Sequence, residues 1–150
     1  ESIGGPVELT VADLSFISLR LVLPALVACT VPGGDVVPMV KPQFEVGRDG
    51  VGKGGVVRDP RLRARAVLDV AAAAYELGLG VAGVTVSPLP GPSGNIEYFL
   101  WLRRNAPPVD PTVVDRLAHE GVAAAGARPA AAASPEPAAA DPAGRGEAGP

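Results

Sequence analysis

Apolar and polar positions along this chain fall into short blocks, and the spacing changes from block to block. Val7–Ala12 (VELTVA) reads as a strand that ends at Asp13. Ser15 or Ser18 can cap a helix running to about Cys29, with Pro24 expected to kink or shorten it. Pro32-Gly33-Gly34 reads as a turn, and residues 35–40 as a second strand ending on Lys41. A glycine-rich loop follows. Asp59 then caps a second helix, with Pro60 at its first position. Leu62, Ala66, Val70, Ala73 and Leu77 form the expected buried stripe, and Arg61, Arg65, Asp69 and Glu76 the outer face. Gly78 and Gly80 end that helix. Residues 80–87 and 96–103 read as third and fourth strands joined by the turn-rich loop 88–95, and residues 107–119 as a short polar helix.

The order β-α-β-α-β-β predicts an α/β fold. The first three strands alternate with helices and should be parallel. The last follows a short loop and should be antiparallel. Residues 1–106 form the expected folded unit, residues 107–120 a short polar segment, and residues 121–150 a disordered tail. In that tail 23 of 30 residues are Ala, Pro or Gly, too few large apolar side chains to offset the ordering entropy. Glu1 is not a Met and a strand begins almost at once, so the chain is expected to be a fragment of something longer with an exposed sheet edge.

A formal net charge of −3 argues against a protein that coats nucleic acid generally. The distribution differs: residues 41–65 hold seven basic side chains against three acidic ones. One cysteine excludes an internal disulfide and fits a reducing compartment, and Cys29 reads as a core residue. The apolar stretch near residues 16–29 is broken by Arg20 and Pro24, so no membrane span is expected and the location read is cytoplasmic. No Cys/His cluster points to a metal, and His119, the single histidine, reads as solvent-facing.

In this topology Asp13 and Lys41 end parallel strands, at the carboxyl rim where open α/β sheets bind ligands. Glu97 starts the returning strand at the same rim. Alone, each is a turn or surface residue. Together they define an Asp–Lys–Glu site. Phe16 reads as a core residue or a stacking surface for a base, while Phe99 and Trp101 read as sheet packing.

ADLSFISL, VKPQFEVGRDGVGKGGVVRDP and SPLPGPSGNIEYFLWLR resemble the TlyA-type ribosomal RNA 2′-O-methyltransferases, also known as hemolysin-like proteins and related to the FtsJ/RrmJ methyltransferases. The resemblance covers residues 7–104. It implies the C-terminal half of a Rossmann-like S-adenosylmethionine-dependent methyltransferase sheet, beginning at the fourth of seven strands, with the antiparallel last strand between the fifth and sixth. It implies Asp13, Lys41 and Glu97 as members of a Lys–Asp–Lys–Glu tetrad, with Asp13 also toward the cofactor. The first lysine, the cofactor's glycine loop and an S4-like RNA-binding domain have no counterpart in this sequence, so activity of the isolated chain is not expected. Arg48, Lys53 and Arg58 are expected to bind phosphates of the ribosomal RNA partner. Two other readings stand beside this one. One is a nucleotide-binding protein using the glycine loop 47–55, whose residues 47–53 fit G-x-x-x-x-G-K but place Gly54 where a P-loop needs Ser or Thr. The other is an RNA-binding or hemolysin-like protein without catalysis.

Overall fold

The computed structural model describes residues 4–91 and 93–124. The Ala/Pro/Gly-rich tail expected over 121–150 lies almost entirely outside the described residues. Seven main elements follow in order: β1 (Val7–Ala12), α1 (Leu19–Ala28), β2 (Thr30–Val40), α2 (Pro60–Glu76), β3 (Leu79–Val86), β4 (Tyr98–Arg104) and α3 (Pro111–Glu120). Short 3-10 turns occupy Pro42–Phe44, Arg48–Gly50 and Gly121–Ala124.

The sheet order is β1-β2-β4-β3. β1 pairs parallel with β2, and β4 pairs antiparallel with both β2 and β3. The last of these four strands is therefore inserted between two strands that run the other way. This is the α/β arrangement expected from the element order.

Strand alternation divides the sheet into two faces. Val36, Val40, Tyr98, Leu100 and Leu102 point to one side and join Leu19 and Leu23 of α1, Val67, Val70, Ala71 and Ala74 of α2, and Val114, Leu117 and Ala118 of α3 in one core. Leu9 and Val11 pair beside Asp35 and Val37 on the opposite face, and remain 55% and 64% exposed. Trp101 lies on that face too. It is 40% exposed, hydrogen-bonded through Nε1 to Asp35 at 2.8 Å, and covered in part by the Arg103 guanidinium.

Several expectations change. Pro24 is inside α1 and does not end it. An interior proline costs about 3 kcal/mol, and here the Ser18 cap and the burial of Leu19 and Leu23 hold the helix across it. The expected turn at Pro32-Gly33-Gly34 is absorbed into β2 as an irregularity: Val7 pairs with Thr30 but Leu9 with Asp35. Gly34 is required there, because a Cβ would sit 2.6 Å from the Glu8 carbonyl oxygen. The buried face of α2 is rotated from the predicted stripe. Ala66 and Val70 are in it, Leu62, Ala73 and Leu77 are half-buried, and Arg63 is buried, donating from Nη2 to the Ala118 carbonyl at 2.7 Å. That bond fastens α2 to α3. The segment expected to be polar at 107–120 thus carries a helix, capped by Asp110, whose apolar face enters the core. Cys29 is exposed, not a core residue, and caps the end of α1.

Candidate active site

The strand register assembles the site. Val40 pairs with Tyr98 across β2 and β4, so one residue further on Lys41 stands opposite Glu97. Ala12 pairs with Pro38 across β1 and β2, which brings Asp13 to the same rim. Lys41 Nζ lies 2.6 Å from Asp13 Oδ1 and donates to Ser15 Oγ at 3.3 Å. The lysine side chain is only 12% exposed, while that of Asp13 is 65% exposed. The buried stem fixes where the nitrogen sits, and the open carboxylate marks the outer edge.

Glu97 is buried, and its partner is not Lys41. Its Oε1 accepts from Gln43 Nε2 at 3.1 Å. Lys41 and Glu97 instead line a common cavity of about 440 Å³, with Ser15, Gln43, Phe16 and Phe44. The loop after β3 folds over Glu97. Its ends are tied by Ser87 N donating to Glu97 O, and Gly91 passes so close that a Cβ there would lie 2.6 Å from Glu97 Oε1.

Phe16 is not a core residue. It is 90% exposed, holds a left-handed backbone (φ +64°), and faces Phe44 with ring centroids 5.2 Å apart. A bulky residue at positive φ is uncommon and is favoured where function requires it. The two rings stand at the mouth of the cavity.

Two buried polar residues that the sequence reading passed over hold these loops together. Glu45 accepts from Ser18 Oγ at 2.6 Å and from the Leu19 amide at 2.8 Å. It satisfies the first amide of α1 from another segment and so ties the loop carrying Lys41 and Gln43 to the loop carrying Asp13 and Ser15. Burial pushes its carboxyl above the ordinary value, against the opposing pull of Ser18, the Leu19 amide and Arg20. Asn95 is buried and accepts from Val57 N at 3.0 Å while donating to Gly55 O at 2.8 Å. Nothing in the local sequence distinguishes Asn95 from an ordinary loop residue. Glu45 stands three residues before a basic loop and reads as solvated.

Arg48, Lys53 and Arg58 are exposed, and Arg58 Nη1 donates to the Lys53 carbonyl at 3.2 Å. Lys53 sits in a small hairpin closed by Gly52 N bonding to Val56 O, with Gly54 and Gly55 in the left-handed region that glycine favours. This geometry does not serve the nucleotide-binding reading. A P-loop leads straight into a helix whose free amides meet phosphate. Here α2 starts at Pro60, and Asp59 already accepts from the Arg61 amide at 2.8 Å.

The FtsJ-like methyltransferase family matches residues 1–104. The chain belongs to the FtsJ-like methyltransferases. Over 103 residues it is 69% identical to the 16S/23S rRNA (cytidine-2'-O)-methyltransferase TlyA of Mycobacterium tuberculosis, which covers 69% of this chain and 38% of that protein. Over 89 residues it is 36% identical to Hemolysin A of Brachyspira hyodysenteriae, covering 59% of this chain and 37% of the relative. A solved structure from Streptococcus thermophilus, named as a candidate hemolysin, superposes with a TM-score of 0.72 at 39% identity, covering 79% of this chain and 43% of that one. The chain thus spans well under half the length of these FtsJ-like relatives. Among the described residues no helix is long and apolar enough to cross a membrane, and no group of three or more His, Cys, Asp or Glu could hold a metal ion.

Proposed function

We propose that this chain forms the acceptor side of an S-adenosylmethionine-dependent methyltransferase that modifies a ribose 2′-hydroxyl of ribosomal RNA in the cytoplasm. One observation carries the reading. A half-buried lysine, paired with a carboxylate at 2.6 Å, opens on a cavity large enough for part of a nucleoside and bounded by a second carboxylate. A 2′-hydroxyl is a weak nucleophile that loses its proton as its oxygen attacks. In its neutral form, after losing a proton to solvent, Lys41 Nζ takes the hydroxyl proton, Asp13 stabilises the ammonium that results, and Glu97 positions the ribose. Glu97 is kept in place by Gln43 and by the loop closed over it.

S-adenosylmethionine supplies a methyl group on a sulfonium centre. The exposed Asp13 carboxylate suits a cation of that kind. The Phe16 ring offers a face to a nucleobase, a contact worth about 1–3 kcal/mol per base. Arg48, Lys53 and Arg58 meet flanking phosphates.

The test is a chimera in which residues 1–104 replace the matching segment of the Mycobacterium tuberculosis relative, assayed for methyl transfer to ribosomal RNA. Lys41→Ala should lower kcat by about 10²- to 10⁴-fold with cofactor binding retained. Full turnover in that variant would refute the assignment.

A further inference from the structure

Two serines in the loop between β1 and α1 compete for the helix cap, and Ser18 takes it. Ser15 is left exposed on the loop, beside the left-handed Phe16, with its Oγ accepting from Lys41 Nζ at 3.3 Å. That contact lies at the wall of the cavity, which Ser15 and Lys41 both line.

The consequence is stereochemical. An amine nitrogen has four tetrahedral directions, one of them its bond to carbon. In the neutral form the other three are two N–H bonds and a lone pair. Ser15 Oγ accepts along one direction at 3.3 Å, and the Asp13 carboxylate pairs with the nitrogen at 2.6 Å. The stem is nearly buried, so the nitrogen has little room to turn away.

We propose that Ser15 is a positioning residue for Lys41: its hydroxyl takes one N–H direction while the Asp13 ion pair holds the nitrogen in place, and the two together turn the lone pair toward the hydroxyl of the acceptor nucleoside. This rests on the methyl-transfer reading of the site. A hydroxyl suits the task better than a second carboxylate. Both accept a hydrogen bond, but another negative charge would also favour the protonated amine, whereas a hydroxyl orients without charge. Asp13 and Ser15 are two residues apart on one loop, so a single loop conformation sets both contacts. Glu45 clasps that loop to the segment after Lys41, which fixes the lysine and its two partners relative to one another.

The chain contains two lysines, Lys41 and Lys53. In Lys53→Arg protein labelled with nitrogen-15, the one remaining lysine signal is that of Lys41. Its ammonium proton exchange with water should speed up several-fold in Ser15→Ala and return toward the starting rate in Ser15→Thr. In the chimera, with Lys53 unchanged, Ser15→Ala should lower kcat by about ten- to hundredfold at unchanged KM for RNA, again with recovery in Ser15→Thr. Because Ser15 is exposed, melting curves of the variants should coincide. Unchanged proton exchange in Ser15→Ala overturns the proposal, as does unchanged kcat in a chimera that Lys41→Ala inactivates. Full turnover by Lys41→Ala sinks the methyl-transfer reading itself, and the positioning role with it.

Discussion

Replacing Glu45 tests whether the two site loops are held by a buried carboxylate. Its side chain is 1% exposed and carries two short hydrogen bonds, from Ser18 Oγ and from the Leu19 amide. Glu45→Ala strands the buried Leu19 amide, at a cost of about 1–3 kcal/mol. It also loosens the Ser18 cap, worth about 1 kcal/mol. The sum is about 2–4 kcal/mol, a large part of the stability of a small domain. Glu45→Gln keeps an acceptor for the amide and removes the charge. Burial raises the Glu45 carboxyl above its ordinary 4.5 in the folded state. The folded state therefore binds more protons than the unfolded one at pH just above 4.5, and stability should fall as pH rises through that interval. The glutamine variant should lose this slope and be near neutral or stabilising at pH 7. Urea unfolding followed by circular dichroism from pH 4.5 to 7.5 reads all three proteins. A Glu45→Ala variant within 0.5 kcal/mol of the parent would show that the clasp contributes nothing.

Phe16→Ala should leave melting unchanged, because the ring is 90% exposed, and weaken RNA binding by about five- to hundredfold if it stacks a base; filter binding decides this. Gly91→Ala should push the Glu97 carboxylate from its place and lower turnover of the chimera with little loss of stability, since the atom it meets is the end of a flexible side chain. Tyr98 is buried without a hydrogen-bond partner for its hydroxyl, and burial pushes it up to about 12 against the nearby charge of Arg63. The unfolded state loses that proton near pH 10, so Tyr98 should cost roughly 2–3 kcal/mol of stability between pH 10 and 12. Tyr98→Phe should flatten alkaline unfolding over that range. Calorimetry on the isolated chain should detect no S-adenosylmethionine binding, because the proposed function assigns the cofactor a single contact, the exposed carboxylate of Asp13.

Much of the fold was readable from residue pattern. Asp59-Pro60 marked the start of α2, the β-prone run at 96–103 marked β4, and alternation of strands with helices implied the parallel pairs. The rim location of Asp13 and Lys41 followed from that topology, and the structure brings them to 2.6 Å. The failures came where tertiary contact overrode local preference. Arg63 looks like an outward residue until α3 supplies a carbonyl for it. The Pro32-Gly33-Gly34 turn disappears because β1 offers a neighbouring strand. Phe16 is apolar, yet its backbone conformation turns it to solvent, which hydrophobicity alone does not encode. Glu97 lines one cavity with Lys41, at the rim the topology implied, but its hydrogen bond to Gln43, 54 positions away, has no local pattern behind it.

The insertion of β4 between β2 and β3 also bears on when the site comes into being. β2 and β3 do not pair with each other; β4, the fourth of these strands in sequence, joins them. The pairing of β2 with β4 is distant in sequence and forms late, because loop closure must be met before the contacts reward it. The pairing of Val40 with Tyr98 that closes the sheet also sets Lys41 opposite Glu97. A nascent or half-folded chain can therefore hold Asp13 near Lys41 and still lack the far wall of the cavity. Completion of the sheet and completion of the cavity wall are the same event.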